Sequence, residues 1–286
     1  MQLVSGGADI WGTAAWTVSR EGYEAAMRVA TFNILNGRVP TDQHVDLRGF
    51  RRSVRRLDAD VLAMQEVDHN QHRSDHADLT AIAAEEMDAP EHRFVAALAG
   101  GPGATWVAAT GEEQPDAAAY GIALLSRFPV RGWRIVRLAP VPVPVPMRFS
   151  GRLRPELVRD EPRVAVVADI EAPEGPVTVA NTHLSFIDWW NGRQLRRLMA
   201  DVVDETRPLV VMGDLNMEPD RTRRITGMRS AVEATTYPTE APRQQIDHIL
   251  LRGAVRSHRG EAVALPVSDH RALTAELTLH DVTHHG

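Results

Sequence analysis

The stretch "PLVVMGDLNMEPD", residues 208–220, runs four apolar residues, Leu209 to Met212, into a glycine and then into "DLN". A short apolar run bounded by turn residues reads as a buried strand. In an extended chain, residues i and i+2 point to the same face. Asp214 and Asn216 therefore present two oxygens side by side where the strand leaves the core. Asp and Asn are also turn formers, and the Pro219-Asp220 that follows is turn chemistry. Alone, the stretch fits a plain turn as well as a site. The other strand ends have to decide.

Similar apolar segments recur as predicted strands at 28–35, 60–66, 93–98, 120–126, 163–170, 177–184, 208–214, 245–251 and 271–279. Helical patterns lie between some of them. In "VDLRGFRRSVRRL" (45–57), Leu47, Phe50, Val54 and Leu57 form one apolar stripe. Residues 75–88 and 191–205 read the same way. The run "APVPVPVPM" (139–147) is expected outside any sheet or helix, because proline fixes φ and removes a donor. There is no internal repeat. Many strands with a few interspersed helices predict one mixed α/β domain.

With 286 residues, 43% of them hydrophobic, the chain can bury a large core. Cysteine is absent, which excludes disulfides and thiolate chemistry. All 32 basic residues other than histidine are arginine, so neither a Schiff-base lysine nor a P-loop lysine exists. The apolar runs fall short of the about 18 residues that span a bilayer. The first residues lack the basic start and continuous apolar stretch of a signal peptide, so a cytoplasmic protein is expected. A net charge of −6 argues against holding long duplex nucleic acid. No protein partner is predicted.

Two arginine clusters stand out. One is the helix face Arg48, Arg51, Arg52, Arg55 and Arg56, either a solvated face or a surface for an anionic partner. The other is "MRFSGRLRPELVRDEPR" (147–163), whose Arg148 and Arg163 are candidates for contacting an anionic substrate from a loop. Trp189 and Trp190 read either as core or as a stacking lip for substrate. His69, His72 and His76 have metal-like spacings but no HExxH motif. They fit a loop at the pocket mouth better than a second metal site.

Six strand ends deliver polar groups: Asn33, Glu66, Asn181 with His183, Asp214 with Asn216, Asp247, and Asp269 with His270. A charge inside an apolar strand costs several kcal/mol unless it is paired or bound to metal. Six such ends point to one shared site. Oxygen ligands from Asn33, Glu66 and Asp269, with Asn216 as a further candidate, suit a hard cation, Mg²⁺ or Mn²⁺. Such a cation offsets charge developing on a phosphoryl oxygen. His270 could act as base or charged stabiliser, oriented by Asp247. Asp214 could handle the attacking water, and His183 and Asn216 could donate to the phosphate. The set describes metal-assisted hydrolysis of a phosphoester.

The ordered motifs "TFNILNG", "QEV", "YGIALLSRFPV", "NTHLSF", "GDLN", "IDHILL" and "SDHRAL" resemble those of the endonuclease/exonuclease/phosphatase superfamily. The resemblance runs over residues 27–280. It leaves 1–26 as an N-terminal extension and 281–286 as a tail. It implies a four-layer α/β sandwich, two packed mixed sheets flanked by helices, with the site at one sheet edge. It also implies Asn33, Glu66 and Asp269 as metal ligands, Asp214 and Asn216 as the water- and phosphate-handling pair, Asp247–His270 as a dyad, and His183 as a further phosphate contact. "RQQIDHILL" lacks the arginine beside the dyad aspartate that marks inositol polyphosphate 5-phosphatases. The alternative to a hydrolase is a catalytically idle scaffold of the same fold.

Overall fold

The computed structural model describes residues 27–41, 44–102, 106–148, 154–204 and 207–280. The expectations for 1–26 and 281–286, and part of the arginine-rich segment, lie outside the described residues. The chain begins β1 (Met27–Asn33), α1 (Leu47–Leu57), β2 (Val61–His69), α2 (Leu79–Met87), β3 (Glu91–Gly100), β4 (Trp106–Ala108) and β5 (Ala119–Ser126). It continues through β6 (Val130–Leu138), β7 (Val145–Met147), β8 (Glu156–Val158), β9 (Arg163–Ala172), β10 (Gly175–His183) and α3 (Asp188–Val202). It closes with β11 (Leu209–Asp214), α4 (Pro219–Thr226), β12 (Arg229–Ser230), β13 (Asp247–Arg252), β14 (Val255–Val263) and β15 (Ala272–Leu279).

Among the described residues, one seven-stranded sheet has the order β14-β15-β1-β2-β5-β3-β4, and a six-stranded sheet has the order β12-β13-β11-β10-β9-β6. Both are mixed: β1–β2 and β10–β11 pair parallel, their other pairs antiparallel. Period-two alternation sorts the apolar side chains into layers. Val29, Val61, Ile122, Val179, Val210, Met212 and Ile249 meet between the sheets. Phe32, Leu62 and Met64 face away to Phe50, Val54 and Leu57 of α1 and Leu79 of α2. Val211 and Leu250 face the other way, to Leu195 and Leu198 of α3. The outcome is the four-layer sandwich.

Two local expectations are corrected. Pro219-Asp220 opens a helix instead of a turn, because proline at the first helical position gives up a donor that has no partner there anyway. Pro146 sits inside a β-ribbon, paired with Leu157. A two-stranded ribbon consists only of edges, where a missing donor is tolerated. The α1 arginine face is solvated at Arg48, Arg52, Arg55 and Arg56, and Arg51 and Arg55 also pair with Glu85 and Glu86 of α2.

Alternation also fixes which polar residues enter the space between the sheets. Asn33 follows Val29 in parity, Asn181 and His183 follow Val179, Asp214 follows Met212, and Asp247 precedes Ile249. Fully buried Asn181 joins the sheets. It donates to the carbonyls of Met64 (2.9 Å) and Ala123 (2.7 Å) and accepts from Gln65 Nε2 (2.7 Å). Asn181→Leu removes three buried hydrogen bonds and is expected to lower stability by about 2–4 kcal/mol. Urea unfolding measures this; a loss below about 0.5 kcal/mol would show that the link is dispensable.

Candidate active site

Asp214 and Asp247 face each other in register across β11 and β13, both buried. Gly213 makes this end possible. Its φ is +140°, and a Cβ there would lie 1.9 Å from the Thr182 carbonyl of β10. Into the space between the carboxylates comes His270, from the loop before β15 in the other sheet. Its Nδ1 lies 2.9 Å from Asp247 Oδ2. Its Nε2 lies 3.9 Å from Asp214 Oδ2 and 4.0 Å from Asp269 Oδ1. Ser268 fixes the loop: its Oγ donates to the Asn33 carbonyl (2.6 Å) and accepts from the His270 N–H (3.0 Å).

Burial alone would lower the His270 pKa, but Asp247, with help from Asp214 and Asp269, raises it to about 10. Burial, then the Asp247 charge, raises Asp214 to about 7; His270, Asn33 and the Asn216 N–H oppose the rise. Ligand-type atoms of Asp214, Asp247 and His270 lie within 4.8 Å of one another. An imidazolium has no lone pair for a metal, so this trio is a charge cluster rather than a cage.

The second group sits beside it. Asn33 Nδ2 donates to Glu66 Oε1 and to Asp214 Oδ2, both at 3.1 Å, and so spans the two sheets. Its oxygen accepts from the Leu35 N–H (3.2 Å). Simple alternation would send Glu66 toward the helices, as it sends Leu62 and Met64. A bulge between Gln65 and Val67, with Glu66 at φ 55°, turns it into the site. Burial raises its pKa, against the Asn33 hydrogen bond. Asp269 Oδ1 is buried without a hydrogen-bond partner among the described residues. Two carboxylates, one with an orphaned buried oxygen, and a carboxamide that can turn its oxygen inward make a donor set that fits a hard divalent cation.

The third group holds His183, Asn216 and Arg163. His183 Nε2 lies 3.5 Å from Asp214 Oδ2. Asn216, left-handed at φ 49°, places Nδ2 3.4 Å from the same nitrogen, while its own N–H donates to Asp214 Oδ1 (3.0 Å). Arg163 is buried, with Nη1 3.4 Å from His183 Nδ1 and Nε unpartnered. Burial first, then Arg163 and His270, hold the His183 pKa well below its usual value, so its ring is neutral.

The remaining candidates stand apart. Trp190 donates to the Ala139 carbonyl (2.8 Å) and lies under Arg193, while Trp189 is 55% exposed. Arg148 is exposed. Among the described residues, no contact joins these three to the carboxylates. His69 stacks on Phe94, and His76 pairs with Asn70. Sequence reasoning missed Tyr237, whose ring packs on His270 with centroids 4.9 Å apart. Its half-buried hydroxyl is raised by burial, then by Asp269, Asp214 and Glu66. The one available signal was an aromatic residue in the polar, proline-punctuated stretch before "QIDHILL".

Residues 30–270 match the model of the "Endonuclease/Exonuclease/phosphatase family". The chain belongs to this family. Its members hydrolyse phosphoester bonds. No curated protein matches the sequence significantly. Among solved structures, an endonuclease/exonuclease/phosphatase from Beutenbergia cavernae is 21% identical, covering 90% of this chain and 72% of that one, with a TM-score of 0.64. The human Nocturnin catalytic domain is 19% identical over 89% of this chain and 94% of its own, with a TM-score of 0.60. A mannosyl-6-phosphatase from Bacteroides thetaiotaomicron is 14% identical over 88% of this chain and 100% of its own, at 0.57. At these identities the likeness is one of fold. No helix among the described residues is long and apolar enough to cross a membrane.

The charge cluster yields a titration test on the metal-free protein. His270 is expected to keep its proton through pH 8 and lose it near pH 10, read from its imidazole NMR shifts. Because the folded state raises this pKa above 6.5, the associated stability is complete below that pH and fades as pH rises through about 10. In Asp247→Asn, burial is less opposed and the titration should fall by more than one unit (one unit being about 1.4 kcal/mol). Titration near 6.5 in the unaltered protein would contradict the cluster.

Proposed function

We propose that this protein is a Mg²⁺- or Mn²⁺-dependent hydrolase of a phosphodiester or phosphomonoester that works by in-line attack of water. The observation that carries the reading is the convergence of Asn33, Glu66, Asp214, Asp247, Asp269 and His270 from two sheets onto one buried end. Glu66, Asp269 and Asn33 are the residues to hold the cation, which when bound offsets charge on the phosphoryl oxygens.

The other groups divide the work by protonation state. Asp214, its pKa raised to about 7, can take a proton from water near neutral pH. His270 enters as the charged partner of Asp247 and donates to the phosphoryl group from Nε2. Neutral His183 and the Asn216 amide supply further donors from the other side. Asp247 holds the His270 ring in place. Buried Arg163, with one N–H unpartnered, adds positive charge beside His183. The net charge of −6 favours a phosphoester other than long duplex nucleic acid.

Hydrolysis of bis(p-nitrophenyl) phosphate is expected to stop in EDTA and return with Mg²⁺ or Mn²⁺. Full activity in chelator would overturn the metal assignment. At saturating metal, His183→Ala should lower kcat by about 10²–10⁴, the range for a positioned proton-transfer or oxyanion group. A loss below about threefold, roughly 0.7 kcal/mol, would remove His183 from the phosphate.

A further inference from the structure

Glu66 reaches the site only because its backbone leaves the β2 alternation, at φ 55°. That conformation is uncommon for a residue with a Cβ and needs something to hold it. What holds it is a second left-handed residue, Asn36, at φ 57°. Asn36 Nδ2 donates to the Glu66 carbonyl (2.9 Å) and to Asp68 Oδ1 (3.1 Å). Asp68 is fully buried and is gripped by Arg73, through Nε at 2.8 Å and Nη2 at 2.6 Å. Arg73 in turn lies against the rings of Tyr120 and Trp106, 5.4 and 5.9 Å from their centroids. Tyr120 stands opposite Asp68 in the β2–β5 register, so strand pairing itself positions this wall.

We propose that Asn36, Asp68 and Arg73 form a positioning relay that fixes the Glu66 bulge and thereby sets the affinity of the site for its divalent cation. The inference rests on Glu66 being a metal ligand. Each link has a physical reason. Without the Asn36 amide, the Glu66 carbonyl loses its side-chain partner at the turning point. Without Arg73, Asp68 is a buried charge with no cation beside it, and it would draw the Asn36 amide away or take a proton. Arginine suits the place because its planar fork grips both oxygens of Asp68 while its flat face rests on aromatic rings. None of the three residues touches the other carboxylates of the site, so the relay acts through Glu66. Partners of this kind, one shell behind a ligand, typically change metal affinity by about 10–100-fold.

The test is Mn²⁺ affinity of the whole protein, measured by calorimetry alongside the urea midpoint. Asn36→Gly is the informative variant, because glycine keeps the left-handed backbone without strain and removes only the amide. It is expected to bind Mn²⁺ about tenfold more weakly with little change in midpoint, and to regain kcat at saturating metal. Arg73→Met should weaken binding similarly, and Arg73→Lys should recover part of the loss. Asn36→Gly/Glu66→Gln should bind no more weakly than Glu66→Gln alone. Wild-type affinity in both Asn36→Gly and Arg73→Met, or additive losses in the double variant, would overturn the relay while leaving Glu66 a ligand. Unchanged affinity in Glu66→Gln would overturn both.

Discussion

Two buried carboxylates, Asp214 and Asp247, lie opposite each other on adjacent strands, and a single imidazole from the other sheet separates them. Like charges directly across a ladder destabilise it. With their oxygens within 4.8 Å and an effective dielectric near 20, the repulsion would be about 3–4 kcal/mol. His270 converts this into attraction on both sides, but only if its loop meets the six-stranded sheet at this depth. Ser268, bonded to the end of β1, supplies that depth. Asn33 makes the reciprocal crossing to Asp214 from the same strand. The charge cluster and the docking of the two sheets are thus one constraint.

The core and the site share one interior. Between the sheets, Val210 and Met212 lead to Asp214 and Ile249 to Asp247, with no change of face. Two devices separate packing from chemistry. Asn181 and Gln65 close the apolar region with a fully satisfied polar link, which lets buried polar atoms stabilise instead of cost. The Glu66 bulge then breaks the alternation once, so that a residue destined for the helix layer joins the carboxylates. Strands carry Asn33, Glu66, His183, Asp214 and Asp247, the loop before β15 brings Asp269 and His270, and Tyr237 packs on His270 from another loop.

The strands that the sequence made legible are the interior ones, where apolar runs are long: β1, β2, β3, β5, β9, β10, β11, β13 and β15. The unread strands β4, β6, β12 and β14 all lie at sheet edges, and β7 and β8 form a ribbon of their own. An edge strand such as "VRSHRGEAV" meets solvent and shows no apolar run. Site residues were legible for a related reason, since a charge at the end of an apolar strand is conspicuous. Tyr237 and Asn36 were not, because an aromatic residue in a loop and a polar residue in a turn are ordinary, and Asp68 was overshadowed by Glu66 two residues before it on the same strand. Their contacts come from tertiary placement alone. Asn181 had the pattern of a site residue, yet its partners lie between the sheets, where it joins Gln65 and two carbonyls.

His270 bridges the opposed carboxylates, and a double-mutant cycle on stability tests that bridge directly. Urea unfolding of the metal-free protein would compare wild type, Asp247→Asn, His270→Ala and the pair together. The expected coupling is about 2 kcal/mol or more, with His270→Ala costly when Asp247 is charged and much milder when it is not. A coupling indistinguishable from zero would mean that imidazole and carboxylate do not depend on each other, and the charge cluster would not be what joins the two sheets at this end.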